Sequence, residues 1–122
     1  MRHVLLVFLA LAFVAGAAVA DTSAERDIKL AGDAIIYGGD LGDPAGPTAK
    51  DAKLFLNVTG KVAQRMYELI GRTHEMHGGD CDDPDVTSRT NGDIMCMRDK
   101  SGYACYLGYD LVRGKSIASS VC

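Results

Sequence analysis

The sequence predicts a small α+β domain, in which an antiparallel sheet packs against one helix and disulfide bonds staple the structure. Three features of the 122-residue chain predict it. Residues 93–109 hold two runs of alternating apolar side chains around a polar turn, as a β-hairpin does. Residues 53–59 alternate in the same way, and residues 60–70 repeat apolar side chains at helical spacing. Four cysteines supply the staples.

The first twenty residues predict a cleaved export signal. A basic start at Arg2 is followed by an apolar run over residues 4–14, and small residues at 18–20 fit a cleavage site. An uncleaved membrane anchor is the alternative, but the run is shorter than the roughly 20 residues that a membrane span needs. Residues 21–122 would then form one disulfide-stabilised domain in the periplasm or outside the cell.

The predicted mature domain is mildly acidic. One of the 13 Lys and Arg residues lies in the signal and all 16 acidic residues lie beyond it, which leaves a net charge of about −4. With this charge and no basic patch, a nucleic-acid partner is not expected. No membrane segment remains after cleavage, so the expected partner is another envelope or secreted protein. The sequence predicts no cofactor.

Residues 21–37 mix charged and apolar side chains, and both a short helix and a strand ending at Tyr37 remain open. The glycines and two prolines of residues 38–48 predict a loop. The alternation from Lys53 to Thr59 predicts a strand.

The helix is predicted to begin at Thr59 or Gly60 and to end at Ile70. The Thr59 hydroxyl can cap its first turn, and Gly71 is a plausible stop. Four apolar side chains form one face with Ala63 beside them, while polar side chains face outward. The four are Val62, Met66, Leu69 and Ile70.

The C-terminal half is predicted to begin with a long polar loop over residues 72–92. The hairpin of residues 93–109 follows. Leu111 and Val112 then begin or continue a strand, which Gly114 breaks, and the remaining tail is small and polar.

The cysteines Cys81, Cys96, Cys105 and Cys122 are even in number, which suits an oxidising compartment. Three pairings are open. Chain entropy does not select among them, because the alternative pairings close loops of similar total cost. Hairpin geometry favours Cys96 with Cys105, since a turn at residues 100–101 sets them directly opposite each other on one face. Zinc is the rival interpretation, but the C-x-x-C spacing is missing.

Part of the chain resembles a group of small exported bacterial proteins. The segments concerned are TGKVAQRMYELI at residues 59–70, GDIMC at 92–96 and GYACY at 102–106. They are similar to the "SGKAAxxLYxxL" helix and the "GNLxC…GxYxC" hairpin of that group. The resemblance implies a disulfide between Cys96 and Cys105, with Cys81 and Cys122 as an extra bridge, and it implies no activity.

The hairpin carries a second resemblance. Ser101-Gly102, followed by Tyr106 and later by Arg113 and Lys115, is similar to the loop motifs with which periplasmic lysozyme inhibitors enter an enzyme cleft. It implies that these five residues bind a lysozyme or another peptidoglycan hydrolase, as an inhibitor or immunity protein does. Those inhibitors keep a lysine where Arg113 stands and fold as a barrel without this helix. An ordinary hairpin turn is the simpler interpretation.

The densest set of potential metal ligands lies in the predicted loop. His74 and His77, with Asp80 and Asp82 nearby, could hold zinc or copper in an envelope metal-binding protein, although a solvated polar loop is the simpler interpretation. No pair of nucleophile and base stands out, and oxidised cysteines are not nucleophiles. The sequence therefore predicts a non-enzymatic binding protein without catalytic residues.

Overall fold

The structure is a computed structural model that describes residues 28–77 and 83–119. The predicted export signal at residues 1–20 lies outside the described residues, and so do Cys81 and Cys122. No helix in the described ranges is long and apolar enough to cross a membrane.

The described chain forms one antiparallel sheet of eight strands with one α-helix and a short 3₁₀ helix. The strand order is β2-β1-β3-β7-β6-β5-β4, and β8 pairs with β7. This confirms the predicted antiparallel sheet with one packed helix, although the helix is a minor part of the fold. The elements are β1 (Ala31–Asp40), β2 (Asp43–Ala45), β3 (Lys53–Thr59), α1 (Gly60–Ile70), the 3₁₀ helix (Arg72–His74), β4 (Glu75–His77), β5 (Thr87–Asn91), β6 (Ile94–Asp99), β7 (Gly102–Asp110) and β8 (Lys115–Ile117).

The central strand is β7, which pairs along one edge with the whole of β3. Its other edge is shared. The first half of β7 pairs with β6 up to the register Met95–Tyr106, and the second half pairs with β8 from the register Gly108–Ile117. The two partner strands therefore meet beside Leu107, and this junction shapes the site described below.

The predicted cysteine hairpin is confirmed. Cys96 and Cys105 lie directly opposite each other in the ladder and form a disulfide, with their Cα atoms 4.0 Å apart. Both are fully buried beneath α1, where they pack with Val58, Ala63 and Tyr67. The disulfide thus joins two neighbouring strands and also forms part of the core.

The predicted helix is confirmed from Gly60 to Ile70, and its predicted apolar face is confirmed in part. Ala63 is fully buried and Val62, Met66 and Ile70 pack half-buried against the core, but Leu69 does not join them. Leu69 is 66% exposed, whereas Tyr67 is 2% exposed. Each residue turns an α-helix by about 100°, so a helix that points Ala63 and Tyr67 at the sheet turns Leu69 away from it. Gly71 ends the helix with a φ of 78°, as predicted.

The predicted Thr59 cap does not form. Thr59 occupies the N-cap position, but its side chain makes no capping hydrogen bond. Thr59 is also the last residue of β3, and the alternation of that strand directs its side chain to the face away from α1.

Three stretches outside the predicted strands prove to be strands. Residues 38–48 are a loop only in part, because β1 continues to Asp40 and β2 runs from Asp43 to Ala45. Pro44 is tolerated there because β2 is an edge strand. Residues 72–92 contain β4 and β5, whose mostly polar side chains give no apolar alternation by which a strand could be predicted. The strand predicted at Leu111 and Val112 is wrong, because residues 111–114 form a turn and the last strand of the described residues is β8.

The segment at residues 21–37, left open between helix and strand, becomes a strand from Ala31 onward. Its full pairing with β3, from Ala31–Thr59 to Tyr37–Lys53, decides between the two. Local spacing could not have decided, because the deciding partner lies elsewhere in the chain.

Candidate functional site

The helix covers only part of its sheet face and leaves an apolar pocket beside it. The pocket has a volume of about 320 Å³. By strand alternation its apolar side chains share the face that carries the disulfide. The apolar lining residues are Leu54, Leu56, Ile94, Leu107 and Tyr109. We call this the sheet pocket.

The junction of β6 and β8 on the edge of β7 creates the sheet pocket. Where the two strands meet beside Leu107, neither continues the ladder across the gap. A hydrogen bond bridges the gap, in which the Ser116 hydroxyl donates to Asp93 Oδ2 at 2.6 Å. Asp93 and Ser116 also line the pocket, so this bond forms part of its polar rim.

Exposed apolar side chains continue the surface beyond the pocket. Ile36 stands opposite Leu54 in the ladder, on the same face, and is 59% exposed. On the helix side, Met66, Leu69 and Ile70 line a shallow groove that shares Ile94 with the pocket. Scattered exposed apolar residues are normal, but a contiguous apolar surface around a pocket is typical of a binding site.

The turn after β7 borders the pocket at Tyr109. The Tyr109 hydroxyl lies close to Gly114, since a Cβ at Gly114 would be 3.9 Å from it. Asp110 fixes this turn because its carboxylate accepts the backbone N–H groups of Arg113 at 2.8 Å and Val112 at 3.0 Å. These bonds, with that to Arg113 foremost, hold the pKa of Asp110 below its usual value.

A second pocket, of about 630 Å³, lies at the other end of β7, between the β6–β7 turn and the first turn of α1. Three of the predicted partner-binding residues line it: Ser101, Gly102 and Tyr106. We call it the hairpin pocket. The Ser101 hydroxyl donates to Asp99 Oδ1 at 2.6 Å, and this bond is the main reason that the pKa of Asp99 is lowered.

The Tyr106 side chain packs against a residue of β3. Its ring stacks on Phe55 with the ring centroids 5.9 Å apart. Burial raises the pKa of the Tyr106 phenol. The Tyr106 side chain is therefore placed by packing within the sheet.

The structure does not bring all five predicted partner-binding residues into one site. Gly102 and Asp110 begin and end β7, so they are about 26 Å apart at about 3.3 Å per residue. Ser101 and Gly102 lie at one end of this strand. Arg113 is in the turn that follows the other end, and Lys115 begins β8. The two halves of the motif are separate surfaces.

The predicted metal ligands lie mostly outside the described part of the chain. His74 is exposed in the 3₁₀ helix, and the backbone of His77 belongs to β4. Asp80 and Asp82 lie outside the described residues. Within residues 28–77 and 83–119, no three His, Cys, Asp or Glu side chains are grouped as metal ligands. Metal binding by the four stays a prediction.

A polar cluster that the sequence did not reveal fastens the end of α1 to β5. Arg89 Nε donates to Glu75 Oε2 at 2.8 Å, and Arg89 NH1 donates to the carbonyl of Tyr67 at 2.8 Å. The Arg89 guanidinium also lies over the Tyr67 ring, 4.0 Å from its centroid. Tyr67 belongs to the last helical turn, whose carbonyls lack helical partners, so Arg89 supplies one of the missing donors.

The sheet pocket was also missed in the sequence. Leu54, Leu56, Leu107 and Tyr109 were placed correctly on alternating strands, but their pattern fits an ordinary core face. Recognising a pocket requires the position of β8, which the small polar tail did not suggest.

Comparisons of the chain with protein-family models, with curated proteins and with solved structures found no match. The resemblances to small exported bacterial proteins and to lysozyme inhibitors stay predictions.

Proposed function

We propose that this protein is an exported, non-enzymatic binding protein that uses the sheet pocket and the apolar surface around it. The observation that carries the proposal is the pocket of about 320 Å³ on the part of the sheet that α1 leaves open. Pockets of this size with apolar walls and a few polar groups at the rim suit the recognition of a side chain or small ligand. The expected partner is another envelope or secreted protein that inserts an apolar anchor.

The non-enzymatic part of the proposal rests on the chemistry of the chain. The disulfide consumes Cys96 and Cys105, so neither thiol serves as a nucleophile. The polar groups at the pocket rim, Asp93 and Ser116, are bonded to each other and have no imidazole beside them among the lining residues. This arrangement suits binding better than acid–base or nucleophilic chemistry.

The chain offers a matched pair of variants for the test. Ile36 and Ile35 are neighbours on β1 and are 59% and 46% exposed, but they point to opposite faces of the sheet. Ile36→Gln, combined with Tyr109→Gln, replaces two exposed apolar side chains at the border of the sheet pocket by polar ones. Ile35→Gln makes the same chemical change on the other face. Because all three side chains are exposed, we expect the variants to fold like the parent protein.

The experiment is affinity capture from an envelope extract with the parent protein and these variants immobilised, followed by mass spectrometry of the retained proteins. We expect a component that the parent and Ile35→Gln retain and that Ile36→Gln/Tyr109→Gln loses. If every component is retained equally by all three proteins, the sheet pocket is not the binding surface and the proposal fails.

A second candidate function is inhibition of a lysozyme or related peptidoglycan hydrolase. The observation that favours it is the convergence of Ser101, Gly102 and Tyr106 on the hairpin pocket. The test is hydrolase activity in excess of the protein, with Ser101→Ala and Tyr106→Ala as hairpin variants and Lys115→Gln as the variant at the far end of β7. Inhibition that only the hairpin variants weaken supports this function, and full hydrolase activity in the presence of the parent protein refutes it.

A further inference from the structure

The outer edge of β1 is largely unpaired in the described part of the chain. β1 spans Ala31–Asp40, yet β2 pairs with it only over the register from Gly38–Ala45 to Asp40–Asp43. From Ala31 to Tyr37, β1 pairs with β3 on its inner edge alone among residues 28–77 and 83–119. A strand edge whose outward-pointing N–H and C=O groups, on alternate residues, have no partner within these ranges is a template for another strand.

We propose that a second copy of this chain pairs with this edge, so that two β1 strands run antiparallel across a two-fold axis at Ala31. Antiparallel edges hydrogen-bond through alternate residues, so two copies can meet only in registers that set residues of the same parity opposite each other. Each such register makes a different set of cross-strand pairs. Residues 28–30 precede β1, and the proposal continues the paired strand through them. The side chains of residues 28–34 then select among these registers.

Charge favours a register with the axis at Ala31. Asp33 is the charged side chain of the free edge, and Lys29 precedes it by four residues; both are exposed. An axis at Ala31 sets Lys29 of each copy opposite Asp33 of the other, which makes two ion pairs. An axis at Asp33 would instead set the two carboxylates against each other, which opposes pairing.

Side-chain size selects the same register. With the axis at Ala31, Leu30 faces Gly32 of the other copy and Ile28 faces Ala34. Leu30 and Ile28 are exposed large apolar side chains, and the residues opposite them are the small Gly32 and Ala34. Each large side chain thus gains cover from the neighbouring backbone without crowding. The edge is therefore self-complementary in charge and in shape, as a two-fold interface requires.

The pairing would also fix how two sheet pockets are placed relative to each other. The dimer proposal does not depend on the proposed binding function of those pockets. Directly opposite residues of antiparallel strands point to the same side of a sheet. The two sheet pockets would therefore lie on one face of a continuous sheet of sixteen strands, on either side of the axis. Such a dimer presents two copies of the same site in one direction.

The first experiment measures the oligomeric state of the oxidised, processed protein by sedimentation over a range of concentrations. We expect a concentration-dependent dimer. Asp33→Lys and Lys29→Asp should each weaken the dimer about ten- to hundredfold, because two attractive pairs become repulsive. The double variant Lys29→Asp/Asp33→Lys should restore it. Asp85→Lys makes the same charge change beside β5, remote from the edge, and should leave the dimer unchanged.

The second experiment fixes the register. A cysteine introduced by Ala31→Cys meets its own copy on the axis, where opposed Cα atoms lie about 4.5–5.5 Å apart and a disulfide can form. Oxidation should therefore link Ala31→Cys into a covalent dimer, and Ala34→Cys should remain unlinked. The proposal is overturned if the parent is monomeric at every concentration, if the charge exchange does not restore the dimer, or if Ala34→Cys links instead.

Discussion

Arg89 allows a quantitative test of how the helix is fastened to the sheet. Its side chain is 9% exposed, and its partner Glu75 is 20% exposed. The Arg89 guanidinium binds Glu75 through two nitrogens, at 2.8 and 2.7 Å, and binds the Tyr67 carbonyl through the third. Arg89→Leu keeps an apolar side chain beside the Tyr67 ring but removes every one of these donors.

The expected loss of stability in Arg89→Leu follows from the polar groups that the substitution leaves without their partner. Breaking a buried ion pair by removing one partner costs about 3–5 kcal/mol, because the remaining charge is uncompensated. Glu75 keeps some contact with water, which lowers this figure, while the Tyr67 carbonyl loses a charged donor, which raises it. We expect Arg89→Leu to lower the free energy of unfolding by about 2–4 kcal/mol.

The measurement is urea unfolding of the oxidised protein, followed by far-ultraviolet circular dichroism. Arg98→Leu is the matched control, because Arg98 lies on the neighbouring strand 5.7 Å from the same Tyr67 ring but is exposed. We expect it to cost at most about 1 kcal/mol. A loss below about 1 kcal/mol for Arg89→Leu, or equal losses for both variants, would refute the fastening role of the cluster.

Three further predictions concern the sheet. Replacing both Cys96 and Cys105 by alanine should lower the free energy of unfolding by about 2–3 kcal/mol, because their disulfide closes a short loop. The measurement is the denaturation midpoint, compared with that of the oxidised parent protein. Gly108→Ala should lower the free energy of unfolding by about 1–3 kcal/mol in the same assay, because its Cβ would collide with Ser119 and Ile117. Gly42→Ala is the control and should be neutral, because a Cβ at Gly42 meets nothing within 4 Å. The lowered pKa of Asp110 means that its contribution to stability is complete above the unfolded pKa of about 4 and is lost as the pH falls through the folded value. Asp110→Asn should therefore flatten the fall in thermal midpoint between about pH 5 and pH 2, and an unchanged slope would contradict this account.

The elements that were predicted correctly are those whose pattern is contained in neighbouring residues of the sequence. β3 and the β6–β7 hairpin alternate apolar and polar side chains, and α1 repeats them at helical spacing up to Gly71. In each case neighbouring residues carry the whole signal, so the bounds from Lys53 to Thr59 and from Gly60 to Ile70 agree with the structure.

The elements that the sequence missed depend on distant partners. β5 was predicted as loop because Thr87, Ser88 and Arg89 are polar, and Arg89 enters the interior only because Glu75 neutralises it from β4. β8 is three residues long and exists by pairing with β7. The sheet pocket arises from the junction of β6 and β8, so it could not be predicted while β8 was unknown.

The ladder between β3 and β7 joins residues about 50 positions apart, whereas the β6–β7 hairpin closes over nine. We therefore expect the β6–β7 hairpin to form quickly and the pairing of β3 with β7 to form slowly, because the second closes a longer loop at a higher entropic cost. A chain that folds from its first half onward must hold β3 without its central neighbour until β7 has been made. We expect the time that β3 and the β6–β7 hairpin take to pair to govern how long the protein is vulnerable to proteases before it reaches the native state.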